Sequence, residues 1–475
     1  MVFSSAIFLF LFFPLAFILY HIVPGLKAKN IVLIIVSLIF YSFGQPKYMI
    51  LLFASVLINY IAGFLLCSDG PHRKAVLAVA VVLNVGLLSV FKYLDFAVDN
   101  INALFGAGIP LPGIVLPIGI SFYTFQGMSY VIDVYRDRSM GTKNFAKLLL
   151  FISFFPQLIA GPIIKYHDIA EMIDDRRCTA ADTAAGLRRF IIGLSKKLLI
   201  ANTAGAVADQ VFALDGGNLD ARIAWLGAVC YTLQIYFDFS GYSDMAIGMG
   251  RIFGFRFLEN FNYPYTATTI TEFWRRWHIS LSSWFRDYLY IPLGGSYCSK
   301  LRTNFNKFVV FLTTGLWHGA NWTFVLWGLW HGLFSILEDV GIVPARKLEK
   351  GIAGRIAGHI YVMLVVILGF VLFRAETLGQ AGVMFSSMFT GFDFTPEKNL
   401  ILHNLLSTTN IAMILLAVLF SVDWLPRIQK RIGVLSEKKQ LAWSAAAYAA
   451  VFILFIYDIL NLSQATFNPF IYFQF

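Results

Sequence analysis

Apolar runs long enough to cross a bilayer recur along almost the whole chain, and they restrict the fold more than any single motif does. They fall near 4–23, 30–44, 48–67, 75–93, 112–132, 186–205, 222–240, 306–338, 355–373, 409–424 and 442–461. A membrane-spanning helix takes about 20 predominantly apolar residues. In hydrocarbon every backbone N–H and C=O must be satisfied within the segment, which a helix does. The pattern therefore predicts an all-α polytopic membrane protein with about 11 transmembrane helices. The 306–338 run has room for a turn and a second helix. Residues 148–164 are interrupted by Phe155-Pro156 and Gly161-Pro162, so they read as a re-entrant or partial helix, tolerated where protein covers it. Met1–Tyr20 has no basic leading region and no small-residue cleavage site, and reads as a first span, not a removed signal peptide. No linker or repeat divides the chain, so 1–475 is read as one transmembrane domain.

Charge supports this reading. Charged residues make up only 13% of the chain against 58% hydrophobic, while soluble domains carry about 25% charged residues. The net charge of +10 is spread over short loops. Lys27 and Lys29, His72 to Lys74, Arg136 to Lys147, Arg346 to Arg355 and Arg427 to Lys439 mark the loops that the positive-inside rule makes cytoplasmic. The N- and C-termini are then extracytoplasmic, and the expected location is the cell inner membrane. No basic run has the interleaving that nucleic-acid sites need, so no nucleic acid is expected. Four scattered cysteines without a C-x-x-C pair suggest no metal.

Residues 231–332 break the hydropathy pattern. Tyr231 to Asp244 is apolar yet holds Gln234, Asp238 and Asp244, and a short stretch from Glu272 adds Arg275, Arg276, His278, Arg286 and Asp287. Ionisable groups at membrane depth are expensive and mark cavities, pathways or pairs. At helical spacing Glu272 meets Arg275 and Arg276. The same block also reads as an amphipathic helix at the cytoplasmic interface, with Trp274, Trp277 and Trp284 as anchors. His318 sits in Gly315-Leu-Trp-His-Gly319, within an apolar run. Histidine titrates near neutrality and suits the removal of a proton from an acceptor hydroxyl. Taken alone, a buried histidine is more readily a hydrogen-bonded core residue, and His331 more so.

Five ordered strings carry a resemblance. They are Leu116-Pro-Ile-Gly-Ile-Ser-Phe-Tyr-Thr-Phe-Gln126, Phe155-Pro-Gln-Leu-Ile-Ala-Gly-Pro162, Tyr236-Phe-Asp-Phe-Ser-Gly-Tyr-Ser-Asp244, Phe273-Trp-Arg-Arg-Trp-His278 and Gly315-Leu-Trp-His-Gly319. The chain resembles the membrane-bound O-acyltransferase (MBOAT) family, in its bacterial branch around alginate O-acetylation. The resemblance implies a ring of helices around a central tunnel, with a catalytic core over about 112–340. It makes His318 the family histidine and His278 the second histidine, both catalytic. Gln234, Asp238, Asp244, Arg275, Arg276, Trp317 and Asn321 become tunnel or donor-binding candidates. The donor would be a cytoplasmic thioester, either acyl-CoA (acetyl-CoA above all) or an acyl carrier protein, with no bound cofactor. The acceptor would be an extracytoplasmic polysaccharide, alginate or another cell-envelope glycan. A separate extracytoplasmic acetyltransferase is the expected partner. A D-alanyl or peptidoglycan acyl translocase of the same family, and an exporter of an acylated molecule, remain as alternatives. The tail 463–475 ends in Asn468-Pro-Phe-Ile-Tyr-Phe-Gln-Phe475, similar to a short aromatic motif of this branch, and by that likeness Tyr472 is either an acyl relay or an interfacial anchor.

Overall fold

The computed structural model describes residues 1–159, 161–434, 436–464, 470 and 471. Tyr472 therefore lies outside the described residues. Among these residues the regular structure is entirely helical. Among the described residues five helices are long and apolar enough to cross a membrane: Pro46–Leu66, Arg73–Phe105, Ala180–Phe212, Gly351–Arg374 and Glu437–Leu462. Pro396–Leu405 and Thr408–Phe420 form a sixth apolar path bent by 63°. The other expected runs lie on shorter or more polar helices. The 112–132 run gives Ile120–Arg136, which begins after Pro117. The 306–338 run divides into two helices around 319–321, and the Pro-interrupted segment divides into Phe145–Ser153 and Phe155–Leu158.

The chain forms two compact units, Met1–Phe190 with Tyr242–Glu259, and Ile191–Gly241 with Asn260–Phe475. The core of the first is built from phenylalanine. Phe3 lies 5.0 Å from Phe8, ring to ring, and Phe12 meets Phe40 at 5.5 Å and Phe155 at 5.4 Å. Edge and offset ring contacts of this kind add to plain area burial.

The second unit holds Gln234, Asp238, His278 and His318, and the helices that carry them and their neighbours are named here because they build the site. Helix α1 (Ala180–Phe212) contains a π-helical turn at Lys196–Ala201. Such turns shift the register of the side chains that follow, and here Lys197 is buried. Helix α2 (Ala221–Ile252) carries Gln234 and Asp238. A Cβ at its Gly241 would lie 2.7 Å from the Gly193 carbonyl oxygen of α1, so glycine permits the close approach. Two short helices, α3 (Ile270–Arg276) and α4 (Ile279–Phe285), flank His278. Helices α5 (Lys300–His318) and α6 (Trp322–Val340) form a hairpin. Their backbones meet at Gly315 and Gly328, where an added Cβ would come within 2.4 Å of the Phe324 and Phe311 carbonyl oxygens, respectively. Helix α7 (Gly351–Arg374) packs beside α6, and α8 (Glu437–Gln464) is the last span.

Candidate active site

The site begins with how α3 is held. Its first amides are taken by a carboxylate from α6: Glu338 accepts from the backbone N–H of Ile270 at 2.5 Å and Thr271 at 3.0 Å, and from the Thr271 hydroxyl at 2.7 Å. Thr269 caps the same helix end by accepting from the Glu272 N–H at 3.1 Å. Negative charge and side-chain acceptors at a helix start satisfy donors that the helix itself leaves open. One turn on, the Arg276 guanidinium donates to Glu272 at 2.6 Å, while Arg275 points outward and is exposed. Of the two partners expected for Glu272, Arg276 is the one it takes.

The chain then turns sharply. His278 has φ 43° and ψ 54°, the left-handed region that non-glycine residues seldom enter. The turn is locked to residues 260–262: the Asn262 N–H donates to the Arg276 carbonyl and the Ile279 N–H to the Asn260 carbonyl, both at 2.9 Å. Asn260 Oδ1 accepts from the Ser280 hydroxyl at 2.9 Å and lies 3.2 Å from His278 Nδ1. An amide oxygen only accepts, so this contact places the proton on Nδ1 and leaves Nε2 as the basic nitrogen. Strained backbone of this kind concentrates at functional positions. His278 is buried, with Phe239 of α2 edge-on at 4.6 Å.

His318 ends α5 and is 5% exposed. Its walls are aromatic: Trp317 at 5.0 Å, Trp327 at 5.0 Å and Phe373 at 5.1 Å, all edge-on. The turn that follows needs glycine, since a Cβ at Gly319 would collide with the Phe324 ring at 2.2 Å. Trp317 touches both histidines, lying 6.2 Å from the His278 ring. Phe470 stands 5.8 Å from Phe239. A continuous row of rings thus runs Phe470, Phe239, His278, Trp317, His318. His331 lies off this row, fully buried between Phe273, Trp274 and Trp327.

Other expected tunnel residues have structural partners. Asn321 caps α6, accepting from the Thr323 N–H at 3.1 Å and donating to the Glu376 carbonyl at 2.8 Å. Gln234 lies against Gly205 of α1. Asp244 belongs to the first unit, where Arg189 donates to it at 2.7 Å and also pairs with Glu259. Asp238 makes a buried ion pair with Lys197 at 2.5 Å. Lys197 was missed as a site residue, although a lysine pair inside the apolar run 186–205 was a visible signal. Asn260 and Glu338 gave no such signal, because their partners are distant in sequence.

The second unit also holds a cavity of about 810 Å³. Thr232, Tyr265 and Glu272 line it along with Arg276, Arg355, His359 and Arg427. Neither His278 nor His318 is among its lining residues. Its three arginines are matched by three carboxylates, Glu272, Glu349 and Asp423, and Arg276 and Arg427 are paired with the first and last of these.

Comparison with known proteins bears on this arrangement. The sequence profile of "MBOAT, membrane-bound O-acyltransferase family" matches residues 129–374. The probable alginate O-acetylase of Azotobacter vinelandii is 41% identical over 100% of both chains. The peptidoglycan O-acetyltransferase of Helicobacter pylori is 35% identical, over 80% of this chain and 78% of that one. The teichoic acid D-alanyltransferase of Bacillus subtilis is 28% identical, over 65% of this chain and 82% of that one.

Proposed function

Because this chain belongs to the membrane-bound O-acyltransferase family and is a multi-pass membrane acyltransferase, we propose that it transfers acetyl from a cytoplasmic thioester towards an extracytoplasmic polysaccharide, with His318 as the base. The observation that carries this reading is the pairing of two buried histidines through Trp317. The relatives' names, alginate O-acetylase and peptidoglycan O-acetyltransferase, favour acetyl as the group and a glycan as the acceptor.

The donor, acetyl-CoA or an acetylated carrier protein, enters from the side of the basic loops. His318 removes the proton of an attacking hydroxyl. The oxygen adds to the thioester carbonyl, the carbon–sulfur bond breaks, and the thiol leaves with the proton. His278 Nε2, set by Asn260, orients the donor or the attacking group. Tyr472 supplies the hydroxyl as a relay, and the resulting ester is then passed to a separate extracytoplasmic acetyltransferase in the inner-membrane assembly. Both termini face outward in this scheme, and the polar path through the membrane lies in the second unit.

The test is purified protein given labelled acetyl-CoA or acetylated carrier protein. Free thiol should appear, with label on Tyr472. Intact donor crossing a vesicle without thiol release would mark an exporter and sink the proposal. An unlabelled tail with normal transfer in Tyr472→Phe would remove the relay step alone.

A further inference from the structure

Helix α8 is the most outward-facing of the long spans, with 6% of its apolar window buried. Two residues beyond it nevertheless lie in the interior. Phe470 is 0% and Ile471 3% exposed. Two polar contacts mark where it is held. The Ile471 N–H donates to Asp238 Oδ2 at 2.8 Å. Asp238 Oδ1 lies 2.5 Å from Lys197 Nζ, so the two carboxylate oxygens are divided between a cation and the Ile471 backbone. Two residues before Lys197, Ser195 Oγ lies 2.7 Å from Asp458 Oδ2, a carboxyl of α8 that is itself fully buried. Positions 195 and 197 of α1 thus hold both the last helix and the segment beyond it.

We propose that the Lys197–Asp238 pair is a docking site for the chain's own 470–471 segment, which it positions beside His278. A buried ion pair is seldom the most stable way to fill a core, and apolar side chains of the same volume usually serve at least as well. Its attested use is to fix register. Here the register is that of a backbone amide: the N–H that donates to Oδ2 belongs to the residue just before Tyr472. Phe470 supplies the second coordinate by packing on Phe239, which packs in turn on the His278 ring. Asp238 and Lys197 are therefore positioning residues that act through the segment they hold. The proposal rests on the reading of Tyr472 as acyl carrier for its purpose, but not for its geometry.

Two variants separate these points. Ile471→Pro removes the donated N–H and leaves both charges of the ion pair in place. Lys197→Met with Asp238→Leu removes both charges together, so no lone buried charge remains to unfold the protein. Hydrogen–deuterium exchange of the 465–475 peptide is read by mass spectrometry in detergent, with thermal unfolding as the control for folding. In the double variant the peptide should exchange at least about tenfold faster than in the native protein. Acetyl transfer in Ile471→Pro should fall about as far as in Tyr472→Phe. Native-like protection in the folded double variant overturns the dock. A released peptide with undiminished transfer supports the dock and overturns the relay instead.

Discussion

The two units use the same apolar alphabet to different ends. In the first, Phe3, Phe8, Phe12, Phe40 and Phe155 pack the interior, a few charged groups such as Lys165 at 4% and Asp133 at 6% exposure are enclosed, and the Arg189–Asp244–Glu259 cluster is partly exposed, with Glu259 56% accessible. In the second, charged and titratable groups are enclosed: Lys197 at 3%, Asp238 at 1%, Asp458 at 0%, His278 at 1% and His318 at 5% exposure. An interior of rings is stabilised by area and contact alone. An interior of paired charges is not, since desolvation offsets much of their attraction. Where a chain keeps such groups buried at membrane depth, function is the default explanation.

That contrast can be broken at several points. The largest expected effect is on chemistry: His318→Ala should lower thiol release by about 10²–10⁴-fold, the usual contribution of a general base, with unchanged elution and unfolding temperature. Native turnover in the purified variant would remove His318 from the mechanism. Lys197→Met alone strands Asp238 in the second unit and should destabilise the protein by about 3–5 kcal/mol by denaturant titration, against little change for the apolar double replacement. Phe40→Ala should lower stability comparably, by about 3–5 kcal/mol, yet leave the specific activity of the folded fraction native. A large loss there would show that the first unit is more than scaffold. Asn260→Ala removes the nearer acceptor of His278 Nδ1, with Ser280 Oγ at 3.4 Å remaining, and should reduce kcat/KM by up to about tenfold, roughly the value of one buried hydrogen bond. Smallest is Glu259→Gln, where an exposed partner is lost: less than about 1 kcal/mol of stability and no change in rate.

Much of this was legible beforehand, for identifiable reasons. The break between α5 and α6, and the interruption at Phe155-Pro156, follow from residues that local backbone rules make conspicuous. Arg276 meeting Glu272 follows from helical spacing. Asn321, expected as a tunnel residue, has a local role that the sequence also allows: an Asn just before a helix is a cap, and its side chain is used there. The number of spans was harder to read, because runs such as 222–240 continue into polar residues on one long helix.

By itself the sequence determined that the chain is helical, crosses a membrane many times and carries the histidine motifs of an acyltransferase family. Those properties live in composition, periodicity and strings of neighbouring residues. Which groups share an interior was decided by tertiary structure. Hydropathy does not distinguish a face turned to lipid from one turned to protein, since both are apolar. Nothing local in Asp238 indicates that one oxygen will face Lys197 and the other an amide 233 positions away. That juxtaposition exists because α1, α2 and residues 470–471 enclose a volume where an unpaired charge could not persist.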